Sequence, residues 1–147
     1  MHGCALLTSL RQGYVNQTNA LASKYGPKLG YLLVYVIEPH PKPPDISPYA
    51  GKPWKFKYSD LHQPLNYTAR LANAAHINDA FKLDRLFTVA VDDLVPHNRT
   101  GNDPVWCAYG PAPNAAWLID TDGKVVLAQT WFEASQMDRA IGKLLGK

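Results

Sequence analysis

The chain is poor in the features that most often betray a function. It has only two cysteines, Cys4 and Cys107, in 147 residues, too few for a disulfide framework. Its five histidines are dispersed, with neither helical nor CxxC-like spacing, so no metal and no cofactor is expected. No apolar run approaches the roughly 18 residues of a membrane span. Charge is sparse at 18%, and the net charge of +3 comes from scattered Lys and Arg. A nucleic-acid binder needs those charges clustered, so nucleic acid and membrane are both excluded as expected partners. The opening MHGCALLTSLRQGY has no basic n-region and no cleavage site. If the chain is complete, a cytoplasmic location is the expectation.

What is present is an ordinary globular composition, 46% hydrophobic, and the length suits a single domain spanning residues 1–147. Leu7, Leu10, Tyr14, Thr18, Leu21 and Tyr25 recur at spacings of three and four, predicting a helix with one buried stripe that Gly26-Pro27 ends. Residues 31–37 form a continuous apolar run of strand length, suited to a strand covered on both faces. Residues 39–63 form a long connection containing Pro39, Pro41, Pro43, Pro44, Pro48 and Pro53. So long a connection in a small domain reads as a functional loop or an excursion.

Tyr67, Leu71, Ala74 and Phe81 mark a second helix, and residues 86–91 a second strand. Residues 103–109 suit a short helix with Asp103 as cap and Pro104 in its first turn. Residues 115–120 and 125–130 form a hairpin around Asp122-Gly123, and Met137, Ile141, Leu144 and Leu145 a closing helix. The order α-β-α-β-α-β-β-α predicts an α/β domain, a mixed sheet with helices on both faces.

That order, ending in PNAAWLIDTDGKVV, resembles the thioredoxin fold and its redoxin and peroxiredoxin-like branch. The resemblance implies a three-layer α/β/α sandwich and a cis bond between Ala112 and Pro113, with Pro113 beside the substrate. A narrower likeness runs through LLVYVIEPHP, HQPLNYTARLANAA, VAVDDL and AYGPAPNAAWLI. These stretches resemble bacterial iodothyronine-deiodinase-like proteins over about residues 12–146. The likeness implies a thiol oxidoreductase in which Glu38 and His40 assist the chemistry. The family's second histidine position is occupied by Pro64, with His62 two residues before it.

The chain departs from the family at the nucleophile. Counting back from Tyr25, the nucleophile position falls on Thr8, or on Leu7 with a one-residue gap, and neither is a thiol. Cys4 lies about one helical turn earlier and is the candidate displaced nucleophile. The strand that should precede the first helix has only residues 1–7 to draw on, so it is expected to be short or missing. A missing strand exposes a sheet edge, and an exposed edge invites a homodimer.

Each candidate has a plainer reading beside it. Glu38 and His40 line a cleft or merely end a strand; a His near neutrality exchanges protons and a nearby carboxylate raises its pKa. Cys4 is a nucleophile or an incidental thiol. Cys107 reads as core packing, or as a resolving partner for Cys4. Trp54 and Tyr58 wall a substrate or anchor the loop. Asp92-Asp93 reads as a solvated strand end rather than a metal ligand. Three functional readings follow. The first is a thiol-dependent oxidoreductase acting on a small molecule or on thiol and disulfide substrates. The second is a redox-inactive binding or assembly module, and the third a piece of a longer enzyme.

Overall fold

The computed structural model describes residues 2–5, 12–48, 50–53, 61–93, 104–109 and 114–146. Thr8, Trp54, Tyr58, Asp103 and Pro113, with the expected cis bond before Pro113, lie outside the described residues. Of Cys4 and Cys107 only the backbone is described. The elements are β1 (His2–Ala5), α1 (Gln12–Tyr25), a 3-10 turn (Gly26–Lys28), β2 (Leu29–Tyr35), α2 (Tyr67–Phe81), β3 (Phe87–Val91), α3 (Pro104–Tyr109), β4 (Ala116–Ile119), β5 (Val125–Gln129) and α4 (Ala134–Leu144).

The five strands form one mixed sheet in the order β3-β2-β1-β4-β5. β1, β2 and β3 run parallel, β4 is antiparallel to β1, and β5 is antiparallel to β4. The first strand is therefore present, though only 4 residues long, and it occupies the middle of the sheet. Of the two expected alternatives, short or missing, the short one holds. The sheet ends at β3 and β5, so the edge expected from a missing first strand does not exist.

The main core lies on one face of the sheet. Leu29, Tyr31 and Leu33 of β2, Ala116 and Leu118 of β4, Ala22 and Tyr25 of α1, and Met137 and Ile141 of α4 are buried together with Phe132. Alternation along a strand puts residues 29, 31, 33 and 35 on that one face. Tyr35, at the end of the row, meets Ala74 of α2 beside Val89 and Val91, so α1, α2 and α4 share a face. Trp117 alternates with Leu118 and points the other way, where Tyr109 of α3 meets it edge-on at 5.3 Å.

The expected helical stripes shift in phase. In α1 the buried positions are Val15, Thr18, Ala22 and Tyr25, with Tyr14 and Leu21 on the flanks. Gly26 then takes φ +55, a conformation glycine adopts without strain. In α2 the expected Tyr67 and Leu71 are 44% and 45% exposed, while Arg70 is buried at 1%. Asn66 caps this helix, its Oδ1 accepting from the Ala69 amide at 2.9 Å.

Asp92 is a further correction. It is buried, not a solvated strand end. Its carboxylate accepts from the amides of Val105 at 3.0 and 3.1 Å and of Trp106 at 3.1 Å, so it caps α3 from the end of β3. The Arg70 guanidinium donates to the carbonyls of Asp92 at 3.3 Å and Asp93 at 3.1 Å.

Side-chain amides tie several junctions. Gln129 donates to the carbonyl of Glu133 and accepts from its amide, both at 3.2 Å, which fixes the entry to α4. Asn19 of α1 donates to the Lys82 carbonyl at 3.1 Å and accepts from the Asp84 amide at 2.9 Å, which fixes the turn into β3. The Tyr25 hydroxyl lies 2.7 Å from Oδ1 and 2.9 Å from the carbonyl oxygen of Asp138, joining α1 to α4.

Candidate functional site

β1, β2 and β3 are parallel and leave the sheet at one common edge. Ligands of open α/β sheets bind at such carboxyl edges. There β2 ends at Tyr35, and the chain continues through Val36, Ile37, Glu38, Pro39, His40 and Pro41. Val36, Glu38, Pro39 and Pro41 are buried and His40 is half-buried. Each proline lacks a backbone donor, so this turn makes its ties through side chains.

Glu38 is the centre of those ties. The Tyr35 hydroxyl donates to Glu38 Oε2 at 3.2 Å. The main-chain amide of His40 donates to Glu38 Oε1 at 3.5 Å. The structure thus joins the two sequence candidates through the His40 backbone. From α2, Asn73 Nδ2 donates to the Tyr35 hydroxyl at 3.3 Å and to the His62 carbonyl at 3.1 Å. Gln63 donates through Nε2 to the Glu38 carbonyl and accepts from the Glu38 amide at 3.2 Å.

The inserted connection is folded back on itself around this point. The Lys42 amide donates to the Leu61 carbonyl at 2.7 Å, and Ser47 Oγ to the Pro39 carbonyl at 2.8 Å. Asp45 Oδ2 accepts from the Gln63 amide at 2.8 Å and lies 2.9 Å from His62 Nδ1. A carboxylate has no proton to give, so the ring nitrogen facing it is the protonated one.

Electrostatics single out Glu38. Burial disfavours its charged form and pushes its pKa up from 4.5 to about 7, against the opposing pull of the His40 amide and the Tyr35 hydroxyl. Burial and the neighbouring Glu38 charge also raise the pKa of Tyr35, which keeps that hydroxyl a donor. The arrangement is a carboxyl that gains and loses a proton near neutrality beside a hydroxyl that does not. Such a carboxyl is matched to general acid–base work at neutral pH.

The thiols are placed less closely. Cys4 sits in β1 opposite Tyr31 of β2 and Leu118 of β4. That register is four residues short of Tyr35, about 13 Å along a strand. Cys107 lies in α3. Among the described residues no three His, Cys, Asp or Glu side chains gather as a metal site requires, and no helix is long and apolar enough to cross a membrane.

The sequence reading passed over Tyr35, Gln63, Asn73 and Asp45 as members of this cluster. Tyr35 carried a legible signal, because a tyrosine inside an apolar strand needs a partner for its hydroxyl. Gln63 and Asn73 carried none, since their role arises only when the connection returns to β2. No protein-family model matches the chain, and no curated protein matches it.

Proposed function

We propose that the chain is a thioredoxin-like, deiodinase-like protein acting as a thiol-dependent oxidoreductase on a small-molecule or thiol/disulfide substrate, with Glu38 as its proton carrier. The observation that carries this reading is the buried Glu38 carboxyl, able to exchange a proton near pH 7 at the carboxyl edge of the parallel strands. The strand order, with the first strand central and a terminal hairpin antiparallel to it, supports the thioredoxin-like assignment. So does the run PNAAWLIDTDGKVV leading through that hairpin.

In this reading Cys4, as thiolate, attacks one sulfur of a disulfide. A new S–S bond forms while the substrate's own S–S bond breaks, and the departing thiolate takes the proton held by Glu38. A small-molecule thiol then releases Cys4 by the same exchange. In this reading the span between Cys4 and the end of β2 is bridged by the substrate. Trp54 and Pro113 are the substrate-side residues, and Thr8 stands at the family's nucleophile position.

A second reading is favoured by one observation, the register of Cys4 inside a central strand rather than at a helix start. In it the domain is redox-inactive and binds a partner or a second copy. A sheet edge used for that purpose is β3 or β5, and Val125 and Val126 of β5 are exposed.

The rate of alkylation of Cys4 against pH, followed by mass spectrometry, separates the two. A Cys4 midpoint well below the free-thiol value of about 8.5, with loss of disulfide turnover in Cys4→Ser, sustains the oxidoreductase. An ordinary midpoint, or turnover that survives Cys4→Ser, overturns it in favour of the binding module.

A further inference from the structure

Glu38 follows a strand that has already ended, yet its backbone is still paired as though a neighbouring strand lay beside it. The pairing group is the side-chain amide of Gln63, which meets both the amide and the carbonyl of Glu38. Gln63 is itself held by Asp45, whose Oδ2 accepts from the Gln63 amide at 2.8 Å. Asp45 is fixed in turn, its amide donating to the Lys42 carbonyl at 3.1 Å, next to the Lys42–Leu61 contact. The two ends of the inserted connection are therefore cross-tied at Glu38.

We propose that Gln63 is a positioning residue for Glu38 and that Asp45 acts through it, the two holding the Glu38 backbone so that its carboxyl stays buried and away from water. The proposal deepens the acid–base reading of Glu38 and rests on it. Its physical content is a chain of contacts. Asp45 holds Gln63, Gln63 holds the Glu38 backbone, and the held backbone keeps the carboxyl between the Tyr35 hydroxyl and the His40 amide. Those last two contacts come from β2 and from the turn itself, and Gln63 takes no part in the main core, so the fold is expected to survive its replacement while the carboxyl is held less closely. Among the described residues the titratable group that meets the carboxyl is Tyr35 on β2, which Arg70 on α2 acts on in turn; the ion pair of Asp45 and His62 lies on the connection beside Gln63.

Since burial is the first cause of the raised proton affinity of Glu38, admitting water lowers it. The test is the titration of the Glu38 carboxyl by carbon NMR in the full chain labelled at glutamate. The wild type is expected to titrate near neutrality. Gln63→Met, which keeps the length and removes both hydrogen bonds, is expected to lower the midpoint by about one pH unit or more. Asp45→Ala is expected to lower it similarly, and the double variant no further than either single one, because the two act in series. Asp45→Asn keeps an acceptor for the Gln63 amide and is expected to shift it least. It also serves if a harsher variant loses its dispersed amide spectrum.

A folded Gln63→Met that titrates with the wild type overturns the proposal. Additive shifts in the double variant overturn the role of Asp45, and an ordinary carboxyl midpoint in the wild type removes the dry pocket altogether. A near-neutral wild type whose Cys4 reacts as an ordinary thiol defeats the oxidoreductase reading while leaving this one standing.

Discussion

Two regions of one sheet face are held by different means. Under α1 and α4 the contacts are apolar: Leu118, Met137, Ile141 and Phe132 fill the space, and the polar links lie at the rim. Under α2 the buried apolar residues of the cluster, among those described, are Tyr35 and Ala74, and polar groups share in the holding: Glu38, Gln63, Asn73, Arg70 and Asp92. The first arrangement tolerates movement of any single group poorly but is indifferent to pH. The second is directional and titratable. Chemistry belongs in the second, because a buried carboxyl whose charge state changes near neutrality is a liability to stability and an asset to proton transfer.

The comparison can be broken at three points. The largest effect is expected at Ile141→Ala, which leaves a cavity in the apolar half and costs about 3 kcal/mol, measured by chemical denaturation at any pH between 5 and 8. Next is Glu38→Gln, whose effect depends on pH. The folded carboxyl binds its proton more tightly than the unfolded one, so the stability it contributes is complete below pH 4.5 and is lost as pH rises to about 7. Denaturation curves of the variant are therefore expected to gain on the wild type across that window, by on the order of 3 kcal/mol; a difference that stays flat with pH would put the carboxyl in water. The smallest is Tyr25→Phe, which removes one hydroxyl contact to Asp138 at the rim of the apolar half. It costs about 1 kcal/mol, measured by thermal melting.

How legible each half was in the sequence follows from how it is held. Periodicity reports apolar packing, so the hairpin, the long strand and the C-terminal ends of α1 and α4 were readable within two residues. Periodicity misleads where a polar group is the buried one. In α2 it pointed inward with Tyr67 and Leu71, whereas the carbonyls at the end of β3 draw in Arg70 instead. Asp92 looked like a solvated strand end because the helix it caps begins 12 residues later. Glu38 was visible as a candidate, but the groups that tie its backbone and its Tyr35 partner return from positions 63 and 73, and nothing local announces them.

Among the described residues three side-chain amides each stand in for a peptide group: Gln63 at Glu38, Gln129 at Glu133 and Asn19 between Lys82 and Asp84. Each donates and accepts at once, which an amide does and a carboxylate does not. Hydrolysis of the amide, the slow chemical ageing open to Asn and Gln, exchanges one nitrogen for one oxygen. At these positions it would set a negative charge against a carbonyl and cancel the donor half of the pairing. Among the described residues the lifetime of the fold is thus tied to three nitrogen atoms, one at the start of α4, one at the turn into β3 and one at the backbone of Glu38.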